Sequence, residues 1–178
     1  MAVSPALDGD LAHVMEQMPY GMYIIGSIDG DGAPNGMMAD WVMQVAFKPR
    51  SVAVSFENDA HTLANIRACG WFTVNLLPED EDGRKLAAKF AQPYEDAKVG
   101  GRHHTVGLTH PKLESLPYTV SPNGCPILDG SLSWLECEAK DFVDVGDHTL
   151  VTGQILGGRV LTEAKPLTST YTGWNYSG

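Results

Sequence analysis

The stretch that decides the fold reads Leu132-Ser133-Trp134-Leu135-Glu136-Cys137-Glu138-Ala139-Lys140-Asp141-Phe142. Apolar and polar side chains alternate along it with a period of two, which is typical of a β-strand with one face on a core. The same alternation recurs in two shorter runs, around Val52, Val54 and Phe56 and around Phe72, Val74 and Leu76. The sequence therefore predicts several strands.

The remaining elements are predicted from turn and cap residues. Met22 to Ile28 is β-prone, and the run from Asp29 to Gly32 predicts a hairpin turn. A helix is expected between Asn58 or Asp59 as cap and Gly70 as stop, and a second helix from about Asp82 to Phe90. A turn at 146–148 leads into a strand over 148–156, and a Gly-Gly bend leads into a short strand over 158–161. Many short strands with few helices predict a closed antiparallel barrel, which has no free edges.

Composition excludes several functional classes. The 178 residues include 22 acidic and 12 basic side chains, giving a net charge of −10, which argues against nucleic-acid binding. The hydrophobic content excludes a disordered chain, and the length fits a single domain over 1–178. We expect a cytoplasmic protein because no apolar run is long enough to span a membrane and the N-terminus does not resemble a signal peptide. The three widely spaced cysteines are expected to be reduced core residues.

Several segments occur in the order found in a known family. They include Tyr20-Gly21-Met22-Tyr23-Ile24-Ile25, Pro34 to Val45, Gly70 to Leu77, Ala88-Lys89-Phe90, Asn123 to Leu128 and Gly146-Asp147-His148-Thr149-Leu150. Over roughly Met18 to Tyr171 the chain resembles the flavin reductase-like family of FMN-binding split barrels, and more narrowly the members associated with rubredoxins and flavodiiron proteins. The resemblance implies a mainly β, antiparallel Greek-key split β-barrel with few helices, acting as a homodimer. The aromatic tail around Trp174 is expected to pack across the dimer or over the flavin.

The resemblance also implies where the flavin binds. The strand segment Asn35, Gly36, Met37, Met38, Ala39, Asp40 and Trp41 is expected to run along the ring, with Ser55 and Glu57 nearby. On the residues alone, this segment is equally compatible with a plain hairpin strand. Met38 and Asp40 depart from the commonest family pattern, and a carboxylate near the ring would disfavour an anionic reduced flavin.

The phosphate is expected at the N-terminus of the first predicted helix, where backbone N–H groups favour an anion. Asn58, His61 and Thr62 are the expected donors, although simple helix capping is the alternative. Lys89 and Phe90 resemble the pair that completes the phosphate site and the ring edge in the family, and Lys98 is a second candidate cation. His148 is the expected catalytic residue, near the exposed face of the flavin. His103, His104 and His110 lack a metal-binding spacing, so no metal is assigned.

Two functions remain open at this stage. The first is an NAD(P)H-dependent flavin reductase that binds FMN, with FAD as the alternative cofactor, and passes reduced flavin or electrons to an acceptor. Because the chain has no Gly-x-Gly-x-x-Gly fingerprint, the nicotinamide would bind over the flavin itself. The second is an FMN-bound electron carrier that serves a rubredoxin or flavodiiron partner without turning over NAD(P)H. A split barrel holding a different ligand is a more remote alternative, since fold does not fix function.

Overall fold

A computed structural model describes residues 5–92 and 112–174 of the chain. Antiparallel strands dominate these residues, with short helices between them. The elements are α1 (Pro5–Glu16), β1 (Tyr23–Ile28), β2 (Pro34–Ala39), β3 (Val42–Phe47), β4 (Arg50–Glu57), α2 (His61–Cys69), β5 (Trp71–Leu76), α3 (Glu81–Ala91), β6 (Tyr118–Val120), β7 (Pro126–Leu128), β8 (Ser133–Asp144), β9 (His148–Val160) and α4 (Ser169–Thr172).

Seven strands form one antiparallel sheet in the order β2-β1-β5-β8-β9-β4-β3. Strands β2 and β3 are its two edges, yet only Asp40 and Trp41 join them in the chain. Two residues span too short a distance to link opposite edges of a flat sheet, so the sheet must curl until its edges approach each other. Within the described residues no ladder connects β2 to β3. The prediction of a mainly β split barrel is confirmed, whereas the prediction of a fully closed barrel was wrong, since β2 and β3 remain edges.

Two apolar cores lie on opposite sides of this sheet. Ile25 points into the interior core, which Leu63 and Ile66 of α2 also enter. Its neighbour Ile24 points outward into a second core, which includes Phe90 of α3. Strand β1 is therefore buried on both faces, which explains its continuous apolar sequence.

The small β6–β7 sheet is attached to the barrel by a buried amide. Asn75 Nδ2 donates to the carbonyl oxygens of Ile24 and Pro126 at 3.2 and 3.3 Å, and Asn75 Oδ1 accepts from the Leu128 N–H at 2.9 Å. Thr73 Oγ1 adds a 2.6 Å bond to the Pro126 carbonyl. These bonds satisfy backbone groups that β7 would otherwise bury unpaired.

Two local predictions were wrong. Helix α2 begins after Ala60 and has no side-chain cap, although Gly70 ends it with a φ of 79° as expected. Residues 157 and 158 do not end a strand, because β9 runs on to Val160 and both glycines pair with β8, the register shift falling at Leu156 just before them.

Cys125, Cys137 and the C-terminal residue Trp174 all pack within the chain. Burial raises the pKa of Cys125 and of Cys137 to about 12, so both thiols stay protonated near neutral pH. Trp174 packs against the second core of its own chain, with the Arg84 guanidinium 5.9 Å from its ring centroid. No helix among the described residues is long and apolar enough to cross a bilayer.

Candidate functional site

Four segments meet at one end of the barrel. They are the β2–β3 link, the C-terminal end of β4, the start of α2 and the turn between β8 and β9. The Ser55 N–H donates to the Trp41 carbonyl at 3.1 Å, and the Asn58 N–H donates to the Asp147 carbonyl at 3.0 Å. Glu57 pairs with His148 across the β4–β9 ladder. The fold thus brings together Trp41, Ser55, Glu57, Asn58 and His148, all predicted from sequence.

An aromatic cluster lies at this end. The centroid of the Trp41 ring lies 4.9 Å from that of the His148 ring and 6.4 Å from that of the Tyr20 ring. Ser169 fixes the Tyr20 backbone through two bonds, accepting from its N–H at 2.9 Å and donating to its carbonyl at 2.8 Å. Flat π-faces of this kind suit contact with a planar ligand.

His148 is oriented by its neighbour in the chain. Its Nδ1 lies 2.7 Å from Asp147 Oδ1, and its side chain is only 12% exposed. The hydrogen bond and charge of His148 lower the pKa of Asp147, which is otherwise fully exposed to solvent. We assign the Nδ1 proton to this bond, which leaves Nε2 as an acceptor in the neutral ring and a donor in the charged one.

Asn58 is bonded to the same turn. Its Nδ2 donates to the Gly146 carbonyl at 2.7 Å, and its Oδ1 accepts from Thr149 Oγ1 at 2.7 Å. Arg67 Nη2 lies 3.3 Å from the same hydroxyl, which connects α2 to the network. These contacts explain why Asn58 does not cap α2.

The first turn of α2 can contribute only part of the predicted phosphate site. His61 is half-buried at its start, and the first backbone N–H groups of any helix have no intrahelical acceptor. Thr62, however, is only 3% exposed. A bond from the Thr62 hydroxyl to a ligand stays a prediction, and the burial of Thr62 argues against it because a ligand has little access to a buried side chain.

Strand β2 presents an open edge. The Gly36 N–H donates to Asn35 Oδ1 at 2.7 Å and so faces away from β1. Backbone groups alternate in direction along an antiparallel strand, so those of Met38 and Asp40 share this orientation. The side chains of Met37 and Ala39 point instead to the interior core. Burial raises the pKa of Asp40, against the opposing effect of bonds from its own N–H and that of Trp41.

The structure does not bring Lys89 and Phe90 together with the start of α2. Phe90 is 1% exposed in the second core, on the opposite face of β1 from α2. Lys89 Nζ donates to the Glu114 carbonyl at 2.8 Å. The expectation that this pair completes the phosphate site and the ring edge stays a prediction, and the packing of Phe90 against Gly36 of β2 is compatible with its ring-edge part.

Other predicted residues lie outside the described part of the chain, namely Lys98, His103, His104 and His110. Sequence reasoning missed Tyr20 and Thr149 as parts of the site. Tyr20 carried a weak signal, as the aromatic residue that opens the first matching segment. Thr149 carried none, because its bond to Asn58 spans 91 positions.

The comparisons agree on one family. The sequence profile described as the flavin reductase like domain matches residues 15–176. The chain is 28% identical over 154 residues to a flavin reductase of Pseudomonas putida, covering 86% of this chain and 81% of that protein. It is 28% identical over 158 residues to the high molecular weight rubredoxin of Moorella thermoacetica, covering 88% of this chain and 63% of the relative.

A solved structure gives the same result. A nitrilotriacetate monooxygenase component B homologue from Mycobacterium thermoresistibile superposes with a TM-score of 0.75 at 26% identity, covering 93% of this chain and 84% of that one. The chain spans about half or less of the length of three further curated relatives. Because the profile covers most of the chain and the split barrel agrees with it, the protein belongs to the flavin reductase like domain family.

Proposed function

We propose that this protein is an NAD(P)H-dependent flavin reductase that transfers hydride to FMN and passes reduced flavin or electrons to an acceptor. One observation carries the proposal: in a chain of this family, His148 and Trp41 lie in contact beside the open edge of β2. The alternative of a carrier without NAD(P)H turnover is not favoured over it.

The described residues fit a bound flavin. The outward backbone groups of Met38 can bond the polar edge of a flat ring, and Trp41 offers an aromatic face. The Gly36 N–H and the Asp40 backbone already have partners within the chain, so Gly36 and Asp40 are proposed contacts from the resemblance. The uncapped start of α2, with His61, suits a phosphate. When bound, FMN supplies the hydride-accepting centre. FAD is the alternative cofactor, and Asn35, Met37, Ala39, Ser55, Glu57 and Lys98 remain proposed contacts from the resemblance.

His148 and Asp40 have different proposed roles. The imidazole Nε2 donates to or accepts from the nicotinamide or the reduced ring, while Asp147 holds Nδ1. The Asp40 carboxylate disfavours additional negative charge nearby, and its burial strengthens that effect. Together they favour releasing electrons over retaining them.

A second copy of the chain and a redox protein are the proposed partners. The apolar residues Met43, Val45 and Phe47 of β3 are exposed, Phe47 by 83%. A patch of this kind marks an association surface, so we propose a homodimer through β3. The similarity to a high molecular weight rubredoxin supports a rubredoxin-type electron acceptor. Use of NAD(P)H supports action in the cytoplasm.

An anaerobic titration tests the function. The purified protein, with and without FMN, is mixed with NADH and then NADPH while flavin absorbance is followed at about 450 nm. Bleaching within seconds supports the reductase and identifies the donor. A flavin that binds but stays oxidised indicates the carrier, and failure to bind any flavin contradicts the cofactor assignment.

A further inference from the structure

We propose that Asn58 is a positioning residue that holds the His148 imidazole against the Trp41 indole. Its effect on hydride transfer rests on the proposed function, whereas its effect on the ring contact does not. This role replaces the helix cap that its position in the sequence suggested.

The bonds of Asn58 surround His148 in the chain. Its N–H and Nδ2 bind the carbonyl oxygens of Asp147 and Gly146, the two residues before the histidine. Its Oδ1 binds the hydroxyl of Thr149, the residue after it. One side chain and its own backbone therefore fix both sides of His148.

Other contacts place the backbone of His148 rather than its ring. The His148 carbonyl accepts from the Val145 N–H at 2.9 Å, and His148 pairs with Glu57 at the end of β4. Asp147 is 92% exposed, so its bond to the half-buried turn histidine is weakened by solvent and moves with the turn. The Asn58 side chain adds the bonds that tie both sides of His148 to the end of β4.

The end of β4 holds both members of the aromatic pair. The Ser55 N–H bonds to the Trp41 carbonyl, and Asn58, three residues later, bonds to the turn that carries His148. Trp41 and His148, whose rings are 4.9 Å apart, are therefore both attached to the segment from Ser55 to Asn58. Removing the Asn58 side chain deletes its bonds to Gly146 and Thr149, while the backbone pairing of His148 with Glu57 remains, so the imidazole loses support without the strand losing its register.

Tryptophan fluorescence of the full chain provides a test that does not need a flavin. The imidazole lies 4.9 Å from the Trp41 indole and should quench its emission, and the quench is measured at one fixed pH as the emission gained when His148 is replaced by Gln. In a Trp41→Phe background the same His148→Gln replacement should change nothing, which identifies Trp41 as the source of the signal. Asn58→Ala should remove most of the quench. Asn123→Ala is the matched control, because it deletes a 3.0 Å amide bond to Glu136 outside the turn.

Other groups near this end stay identical in the variants compared. They are Tyr20, Asp40, Glu57, Asp59, His61, Arg67, Asp144 and Asp147. If Asn58→Ala fails to fold by circular dichroism, Thr149→Val removes one of the same bonds and should reduce the quench in part. A quench equal to wild type in whichever of these variants folds, or none in wild type, overturns the proposal.

Kinetics separate this role from the proposed function. In an active reductase, Asn58→Ala should lower kcat/KM for the nicotinamide by roughly tenfold to a hundredfold through misplacement of His148. If wild type oxidises no NAD(P)H while Asn58→Ala still removes the quench, the reductase function fails and the positioning role stands.

Discussion

Replacing Gly36 with alanine tests why the open edge strand carries a glycine. A Cβ at this position would lie 2.8 Å from Phe90 Cε1 and 3.2 Å from Ile24 Cγ2. Both neighbours are fully buried, so neither can move aside freely. Overpacking of this kind costs about 1–3 kcal/mol. For a chain of this length that corresponds to a fall in Tm of about 2–12 °C.

The assay is urea unfolding monitored by circular dichroism, and stabilities are compared between variants that share the same m-value. Gly157→Ala is the matched control, because nothing lies within 4 Å of a Cβ there, and its stability should stay within about 0.5 kcal/mol of wild type. In a Phe90→Leu background, Gly36→Ala should cost about 1 kcal/mol less, because the clashing ring edge is gone.

Strict additivity of Gly36→Ala and Phe90→Leu would refute the packing argument. So would a Gly36→Ala protein as stable as wild type. In that case the glycine would serve ligand approach alone, and the variant would lose FMN affinity without losing stability. Measuring the dissociation constant for FMN beside the unfolding curve distinguishes the two explanations.

Three further outcomes follow from buried contacts. Asn75→Ala should lower the free energy of unfolding by about 2–4 kcal/mol in urea titrations, because it removes the acceptor of the buried Leu128 N–H and leaves a void. Burial lowers the pKa of Lys112 to about 8, from 10.5 when unfolded, so the unfolded chain binds more protons between these values. Wild-type stability should therefore gain with pH across that window relative to Lys112→Met, and parallel pH profiles would contradict this. Trp174→Ala should lower Tm without changing the sedimentation coefficient, since the indole packs within its own chain.

Strands β4, β5 and β8 could be predicted because apolar and polar residues alternate along them. The number of buried faces could not, because β5 is buried on both: Thr73 and Asn75 are as buried as Phe72. The end of β9 could not be predicted, because two adjacent glycines read as a bend when the partner strand is unknown. In the structure, Gly157 and Gly158 pair with Glu136 and Leu135 of β8, and the register shift lies at Leu156.

Site residues could be predicted where they are neighbours in the chain. The β2–β3 segment and the Asp147-His148 turn were both found in this way. The position of Phe90 in the second core could not be predicted, because sequence does not tell which face of β1 and β2 a helix covers. Asn58 was predicted as a phosphate donor, with a helix cap as the alternative; the cap was wrong, and the observed bond to the Gly146 carbonyl spans 88 positions, which sequence does not reveal.

The contacts that sequence could not predict join segments that are distant in the chain and meet only when the sheet curls into a barrel. The end of β4 meets the β2–β3 link on one side, through Ser55, and the β8–β9 turn on the other, through Asn58. Neither contact is local, and both depend on the registers of β4 with β3 and with β9. A one-residue slip in either ladder would turn the side chains of that strand to the opposite face and separate the imidazole from the indole. The interior core, which includes Val52, Val54 and Phe56, holds those registers. The geometry of the site therefore depends on the packing of the barrel as much as on the residues that face a ligand.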